Sequence, residues 1–330
     1  MVNKKKIFDH FMFGGDYNPE QWPEETWQKD MDLLKAAHIN ELTLNVFSWT
    51  KMQPDENHYD FSTINKIVDL AKKNGMQIIM ATGTAAVPFW MVKKYPDVMR
   101  TNENGVLQGP GKRHNACPNS PHFLKFSPKL VSKLAENFKD EKDIIAWHVN
   151  NEYGGYCYCQ NCAQAWRKWL KKKYENLENL NEAWNGAYWN HIITAWDQIV
   201  PPTKNSDICT FEGFTAPVQM AMALDYHRFQ SDSMLKEYIN EYDAIRKYFP
   251  ETPITTNLVK FNESTDYNKW AKYQDVIAWD EYPRFDTTAA QLGMEHDLYH
   301  GLKHEPFLLM ESTPTQQTWN RMLKQSGQMR

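Results

Sequence analysis

The chain has 330 residues, 42% of them hydrophobic and 24% charged, with a formal net charge of -4, which suits one large α/β barrel better than a small domain. The mild acidic balance gives no basic footprint for nucleic acid, and no apolar run is long enough to span a membrane. Asp9, His10, Gly14 and Gly15 break the basic start before a signal-peptide core can form, so a cytoplasmic protein is expected. In chain order, a strand is predicted at 12–15 and a helix at 24–37, opened by Pro23 and carrying Trp27, Met31, Leu34 and Ala37 at helical spacing. A strand at 42–47 precedes a helix at 61–73, with apolar Ile64, Ile67, Val68 and Leu70 and a stop at Asn74-Gly75. Strands at 77–81 and 144–149 flank a helix at 130–138. A helix at 226–248 leads to strands at 254–258, 276–279 and 307–310. Repeated βα units predict a parallel sheet closed as a TIM-type (β/α)8 barrel. The competing doubly wound sheet lacks its Gly-rich phosphate loop.

Polar residues gather where these strands end: Asp16 and Tyr17, Ser48 and Trp49, Asn150 to Glu152, Glu281 and Tyr282, and Glu311. In a barrel those ends share one face, the face that carries active sites. Glu152 follows the apolar run IIAWHVNN and Glu311 follows FLLM, so two carboxyls from different strands can meet across the mouth. Glycoside hydrolysis needs such a pair, one protonated to assist the leaving oxygen and one ionised. A pair of structural carboxylates is the alternative. Aromatic residues make up 14% of the chain, with 13 Trp and 16 Tyr; this accommodates either a large core or a sugar-stacking cleft. Three cysteines in C-x-C-x2-C, Cys157, Cys159 and Cys162, together with Cys117 fit a closed tetrahedral zinc site, with four reduced thiols as the alternative. Cys209 reads as an ordinary thiol.

The segments GGDYNPEQWP (14–23), RHNACPNSP (113–121), WHVNNEYG (147–154), CYCQNC (157–162), WDEYP (279–283) and MESTPTQQTWN (310–320) resemble glycoside hydrolase family 42 in order over nearly the whole chain. The resemblance implies a retaining β-galactosidase, EC 3.2.1.23, acting on small galactosides or galacto-oligosaccharides, with Glu152 as acid/base and Glu311 as nucleophile. Retention implies carboxyls about 5 to 5.5 Å apart. It further implies that Asn151 bonds the sugar 2-hydroxyl, that Arg113 holds substrate near the nucleophile, that Tyr282 stands beside Glu311, and that Trp319 stacks on substrate. Trp184, Trp189 and Trp196 are expected to pack rather than line an aglycone subsite.

Some members of the family bind zinc through cysteines at the places of Cys117, Cys157, Cys159 and Cys162, which implies one structural, non-catalytic Zn2+ here. The resemblance makes residues 1–330 a single catalytic barrel with a zinc loop and helical excursion at about 153–250. An incomplete barrel is expected, because the family's eighth strand, the galactose-binding pair after it and the two domains that support a homotrimer have no counterpart in the sequence. An impaired galactoside-binding fragment, or a glycosidase for a related pyranoside such as an α-L-arabinopyranoside, are the alternative readings.

Overall fold

The computed structural model describes residues 2–203, 220–260, 262–284 and 286–312. Its strands are β1 (Gly14–Tyr17), β2 (Glu41–Leu44), β3 (Gln77–Ala81), β4 (Ile144–His148), β5 (Ile254–Thr255), β6 (Asn257–Leu258), β7 (Ala278–Glu281) and β8 (Leu308–Ser312). All pairings are parallel, running β1-β2-β3-β4-β5 and β6-β7-β8. β5 and β6 are halves of one barrel strand: the ladder turns from β4 to β7 at Thr256. Seven strand positions of a TIM-type barrel are thus formed, one for each run read from the sequence. Among the described residues no ladder joins β8 to β1.

Strands β2 to β7 are buried on both faces, as helix-covered parallel strands must be, whereas β1 and β8 are part-exposed. In β3 the side chains alternate: Ile78 and Met80 enter the outer core beneath the helices, whereas Ile79 joins an inner cluster with Ile145, Ala146, Val276, Ala278 and Met310. Ile7, from the short helix α1 (Lys5–Phe8), packs into that inner cluster. β1 and β2 approach so closely that a Cβ on Gly14 would stand 1.9 Å from the Glu41 carbonyl oxygen, so this position admits no side chain.

The outer helices are α2 (Trp27–Ala36), α3 (Trp49–Met52), α4 (Ser62–Lys73), α5 (Phe89–Lys94), α6 (Pro121–Asn137), α7 (Gln160–Tyr174), α8 (Leu177–Ala183), α9 (Met220–Arg246), α10 (Tyr267–Trp270) and α11 (Ala289–Gly301). α4 buries Ile64, Ile67, Val68 and Ala71, the spacing of one helical face, and Lys72 and Lys73 complement the dipole in its last turn. Its stop is Gly75, at φ 74°, after which the Met76 amide bonds back to the Ala71 carbonyl.

The structure moves several expected boundaries. α6 begins nine residues before the predicted 130, at Pro121, with the Ser120 hydroxyl accepting the Phe123 amide at 3.2 Å. The helix runs through Pro128, because burial of Phe123 and Phe126 outweighs the lost hydrogen bond. The segment before α2 forms a 3-10 turn, Glu24–Thr26. β1, β7 and β8 lie toward the C-terminal side of their predicted positions, so Asp16, Glu281 and Glu311 stand inside strands and not after them.

Candidate active site

The site grows from three strand ends. After β4 the chain makes a tight turn in which Asn150 and Glu152 adopt left-handed backbone, φ 56° and 44°. Such conformations are costly for residues with a Cβ and persist only where surrounding bonds enforce them. Here the Asn150 amide donates to Thr82 Oγ1 at 2.8 Å, the Asn151 amide to Asn150 Oδ1 at 2.8 Å, and the Glu152 amide to Asn257 Oδ1 at 2.7 Å. The turn thereby aims the Glu152 carboxyl inward, where its side chain is 16% exposed.

Across the mouth, Glu311 projects from β8. Asn257 Nδ2 donates to its Oε1 at 3.0 Å and Tyr282 Oη donates to its Oε2, so both oxygens are held. Burial, together with the Glu311 carboxylate it bonds, raises the Tyr282 hydroxyl and keeps it a donor. Oxygens of Glu152, Glu311 and Asp280 all lie within 4.8 Å of one another. Burial first, and then the Glu311 charge, push the Glu152 carboxyl upward; Arg113, with Nη2 at 3.4 Å from Glu152 Oε2, pulls the other way. His114 Nε2 is 3.6 Å from the same oxygen. Burial and the guanidinium charges of Arg113 and Arg100 depress His114 to about 3, so its imidazole is neutral and makes no ion pair there.

Of the residues singled out in the sequence, Glu152, Glu311, Asn151, Tyr282 and Arg113 converge on this mouth. Asn151 Nδ2 donates to Glu152 Oε2 at 3.3 Å. Arg113 reaches Glu152, in the same carboxyl cluster as Glu311, with its guanidinium 5.5 Å from the Phe47 ring centre. Trp319 and Cys209 lie outside the described residues. Trp184 is buried and Trp196 packs against the same small core, whereas Trp189 is exposed.

Two residues at the centre of the site were not singled out. Asn257, fully buried, joins β4, β7 and β8: besides Glu311, its Nδ2 faces Asp280 Oδ2 at 2.7 Å and Asn151 Oδ1 at 3.1 Å, while His148 Nε2 meets its Oδ1 at 2.9 Å. Asp280 is 4% exposed. The available signal was chemical: an asparagine within ITTNL and an aspartate within IAWDE interrupt runs otherwise suited to buried strands.

Beside the mouth, one Sγ from each of Cys117, Cys157, Cys159 and Cys162 lies within 4.8 Å of the others, and none of the four is in a disulfide. Cys117 Sγ is 3.4 Å from Cys159 Sγ and 3.6 Å from Cys162 Sγ. A tetrahedron with Zn–S bonds of about 2.3 Å has edges of about 3.8 Å, so the sulfurs fit zinc with little movement. Asn119 Nδ2 donates to Cys162 Sγ at 3.4 Å, and Gln230 and Tyr226 of α9 grip the Cys157 backbone.

A family model described as beta-galactosidase, that of glycoside hydrolase family 42, matches residues 16–330. The beta-galactosidase LacZ of Lactobacillus acidophilus is 48% identical over 322 residues, covering 97% of this chain and 48% of that protein. BgaP of Planococcus sp. (strain L4), also a beta-galactosidase, is 48% identical over 339 residues, covering 100% of this chain and 49% of its own. The crystal structure of a beta-galactosidase from Bacillus circulans sp. alkalophilus superposes with a TM-score of 0.93 at 46% identity, covering 98% of this chain and 48% of that one. The chain spans about half the length of the curated relatives it matches.

Proposed function

Because the chain belongs to glycoside hydrolase family 42, we propose that it carries the machinery of a retaining β-galactosidase, cleaving terminal non-reducing β-D-galactosyl residues from small galactosides or galacto-oligosaccharides. The carboxyl spacing carries this reading. Oxygens of Glu152 and Glu311 within 4.8 Å suit direct attack on the sugar, whereas an inverting pair stands about 6.5 to 9.5 Å apart to admit a water.

Glu311 is the nucleophile in this scheme. Tyr282 and Asn257 hold its two oxygens and aim it at the anomeric carbon. Glu152, raised by burial and by the Glu311 charge, holds the proton that the leaving oxygen takes. Attack turns the Glu311 carboxylate into a neutral ester. That removes the charge opposing ionisation of Glu152, which then draws a proton from water while the water oxygen displaces Glu311 from the anomeric carbon. Asn151, beside Glu152, bonds the sugar 2-hydroxyl, and the exposed Arg113 offers its remaining N–H groups to the substrate. Trp319 completes the proposed set as a stacking surface.

The four cysteines are proposed to hold one structural Zn2+, in keeping with a cytoplasmic protein whose thiols stay reduced. Zinc bound there supplies a crosslink and no bond-breaking step, since four thiolates leave no open coordination position.

The test is covalent capture. A 2-fluoro-galactoside with a good leaving group should label the parent chain at Glu311 and leave Glu311→Gln unlabelled, because an amide cannot displace the leaving group. Equal labelling of the variant would remove Glu311 from the role.

A further inference from the structure

The mouth holds carboxyls beyond the pair that double displacement uses, and Asp280 is the one that clusters with both glutamates. Asp280 lies within 4.8 Å of both glutamates, yet it is more deeply buried than either and among the described residues has no cation paired with it; Arg113 pairs with Glu152. Its Oδ2 accepts Asn257 Nδ2 at 2.7 Å, and its Oδ1, also buried, meets no N–H or O–H donor among the described residues, while Glu152 stands within hydrogen-bonding reach of the Asp280 side chain.

The Asn257 amide explains what Asp280 must be. Nδ2 carries two hydrogens but faces three acceptors: Asp280 Oδ2, Glu311 Oε1 at 3.0 Å and Asn151 Oδ1 at 3.1 Å. One of those contacts is always short of a proton, and the carboxyl cluster needs another donor. Three ionised carboxylates at this separation and burial would also repel strongly. The groups facing Asp280 are Glu311 on the neighbouring β8, Glu152 in the turn after β4, Asp16 on β1, Tyr282 just after β7 and Tyr299 on α11; all can only be neutral or negative. Burial, then the charges of Glu311, Glu152 and Asp16, lift its carboxyl well above the usual range.

Resting on the roles proposed for the two glutamates, we propose that Asp280 is a positioning residue: a permanently neutral acid, oriented by Asn257, that lends a hydrogen bond to whichever glutamate is ionised. Before attack that is Glu311. Once the ester forms, it is Glu152. The acid proton stays on Asp280 throughout, so no proton is consumed, and a small rotation about its last side-chain bond follows the charge from one partner to the other. Asn257 fixes the pivot.

Asp280→Leu keeps the bulk and loses the donor; Asp280→Asn keeps a neutral donor at the same place. In the full chain acting on a chromogenic β-galactoside, Asp280→Leu should lower kcat on the order of 10²-fold with KM little changed. Asp280→Asn should recover most of that loss, to within about tenfold of the parent, and hold the alkaline midpoint of the pH profile within about 0.3 unit. Were Asp280 ionised instead, Asp280→Asn would delete a charge beside Glu152 and move that midpoint down by about 1 unit or more, which overturns the proposal. Equal activity of the two variants, both melting cooperatively, overturns it as well. Infrared spectra supply a readout that needs no turnover: at neutral pH the parent should show a carboxylic-acid carbonyl band that Asp280→Asn lacks. If no galactoside is cleaved, the reading of the reaction fails, and the infrared band alone decides the protonation of Asp280; identical spectra sink it.

Discussion

Left-handed backbone at Asn150 and Glu152 costs on the order of 1 to 3 kcal/mol each. The bonds that enforce it run from backbone amides to the Thr82, Asn150 and Asn257 side chains, and the Glu152 carboxyl is not among them. Glu152→Ala should therefore keep the turn and change only the chemistry. On an aryl galactoside with a good leaving group it should form the glycosyl-enzyme and stall, and added azide should restore turnover and yield galactosyl azide. Kinetics with product analysis checks this; absence of the azide adduct would take the acid/base role from Glu152. Glu152 and Glu311 were legible in the sequence because each follows an apolar run, and the family resemblance then assigned their parts. Asn257 and Asp280 were hidden because a polar residue inside a strand reads as an imperfection until the inner face of the barrel is known. Arg113 was legible as a site residue, but which carboxylate it faces is a matter of loop path that no spacing records.

At the level of elements, α9 carries an unusual load: Asp225, Gln230, Glu237 and Glu241 are all buried along it. Glu237 Oε1 accepts Asn150 Nδ2 at 3.1 Å and Glu241 Oε2 accepts the Thr84 hydroxyl at 2.8 Å, so the helix braces the loops beneath the catalytic turn. Burial, and then the neighbouring Glu241 charge, push Glu237 up to about 8 against the pull of Arg100; burial pushes Glu241 to about 7. Both folded-state values exceed the ordinary 4.5, so the neutral forms favour the fold fully below about 4.5, and that contribution is lost as pH rises through 7 to 8. Glu237→Gln is neutral throughout. Its melting temperature should decline less than the parent's from acid pH to about pH 9, as calorimetry across that range will read; parallel curves would refute it. The periodicity of α4 was visible in its sequence. The first half of α6 was not, since Pro128 disguises a helix whose existence depends on tertiary burial of Phe123 and Phe126.

For the whole molecule, the cysteine cluster brings together separate parts of the chain: Cys117 belongs to the segment between β3 and α6, Cys157 and Cys159 follow β4, and Cys162 lies on α7. Purified without chelator, the protein should carry one zinc per chain. Cys162→Ser should lose the metal and melt at lower temperature while the folded fraction turns over nearly as the parent does, measured by metal analysis, melting and active-site titration. A collapsed kcat with unchanged melting would move the metal into the reaction. The barrel's remaining consequence lies at Thr256, where one strand stops pairing with β4 and starts pairing with β7. Here the ladder has a joint, and Glu152 and Glu311 stand on opposite sides of it. The side chain of the very next residue, Asn257, spans the joint like a tie-bar, bonded to the Glu152 amide on one side and the Glu311 carboxylate on the other. The separation of the two glutamates is thus gauged by a single amide group: the spacing of this carboxyl pair hangs on one side chain at a break in the sheet.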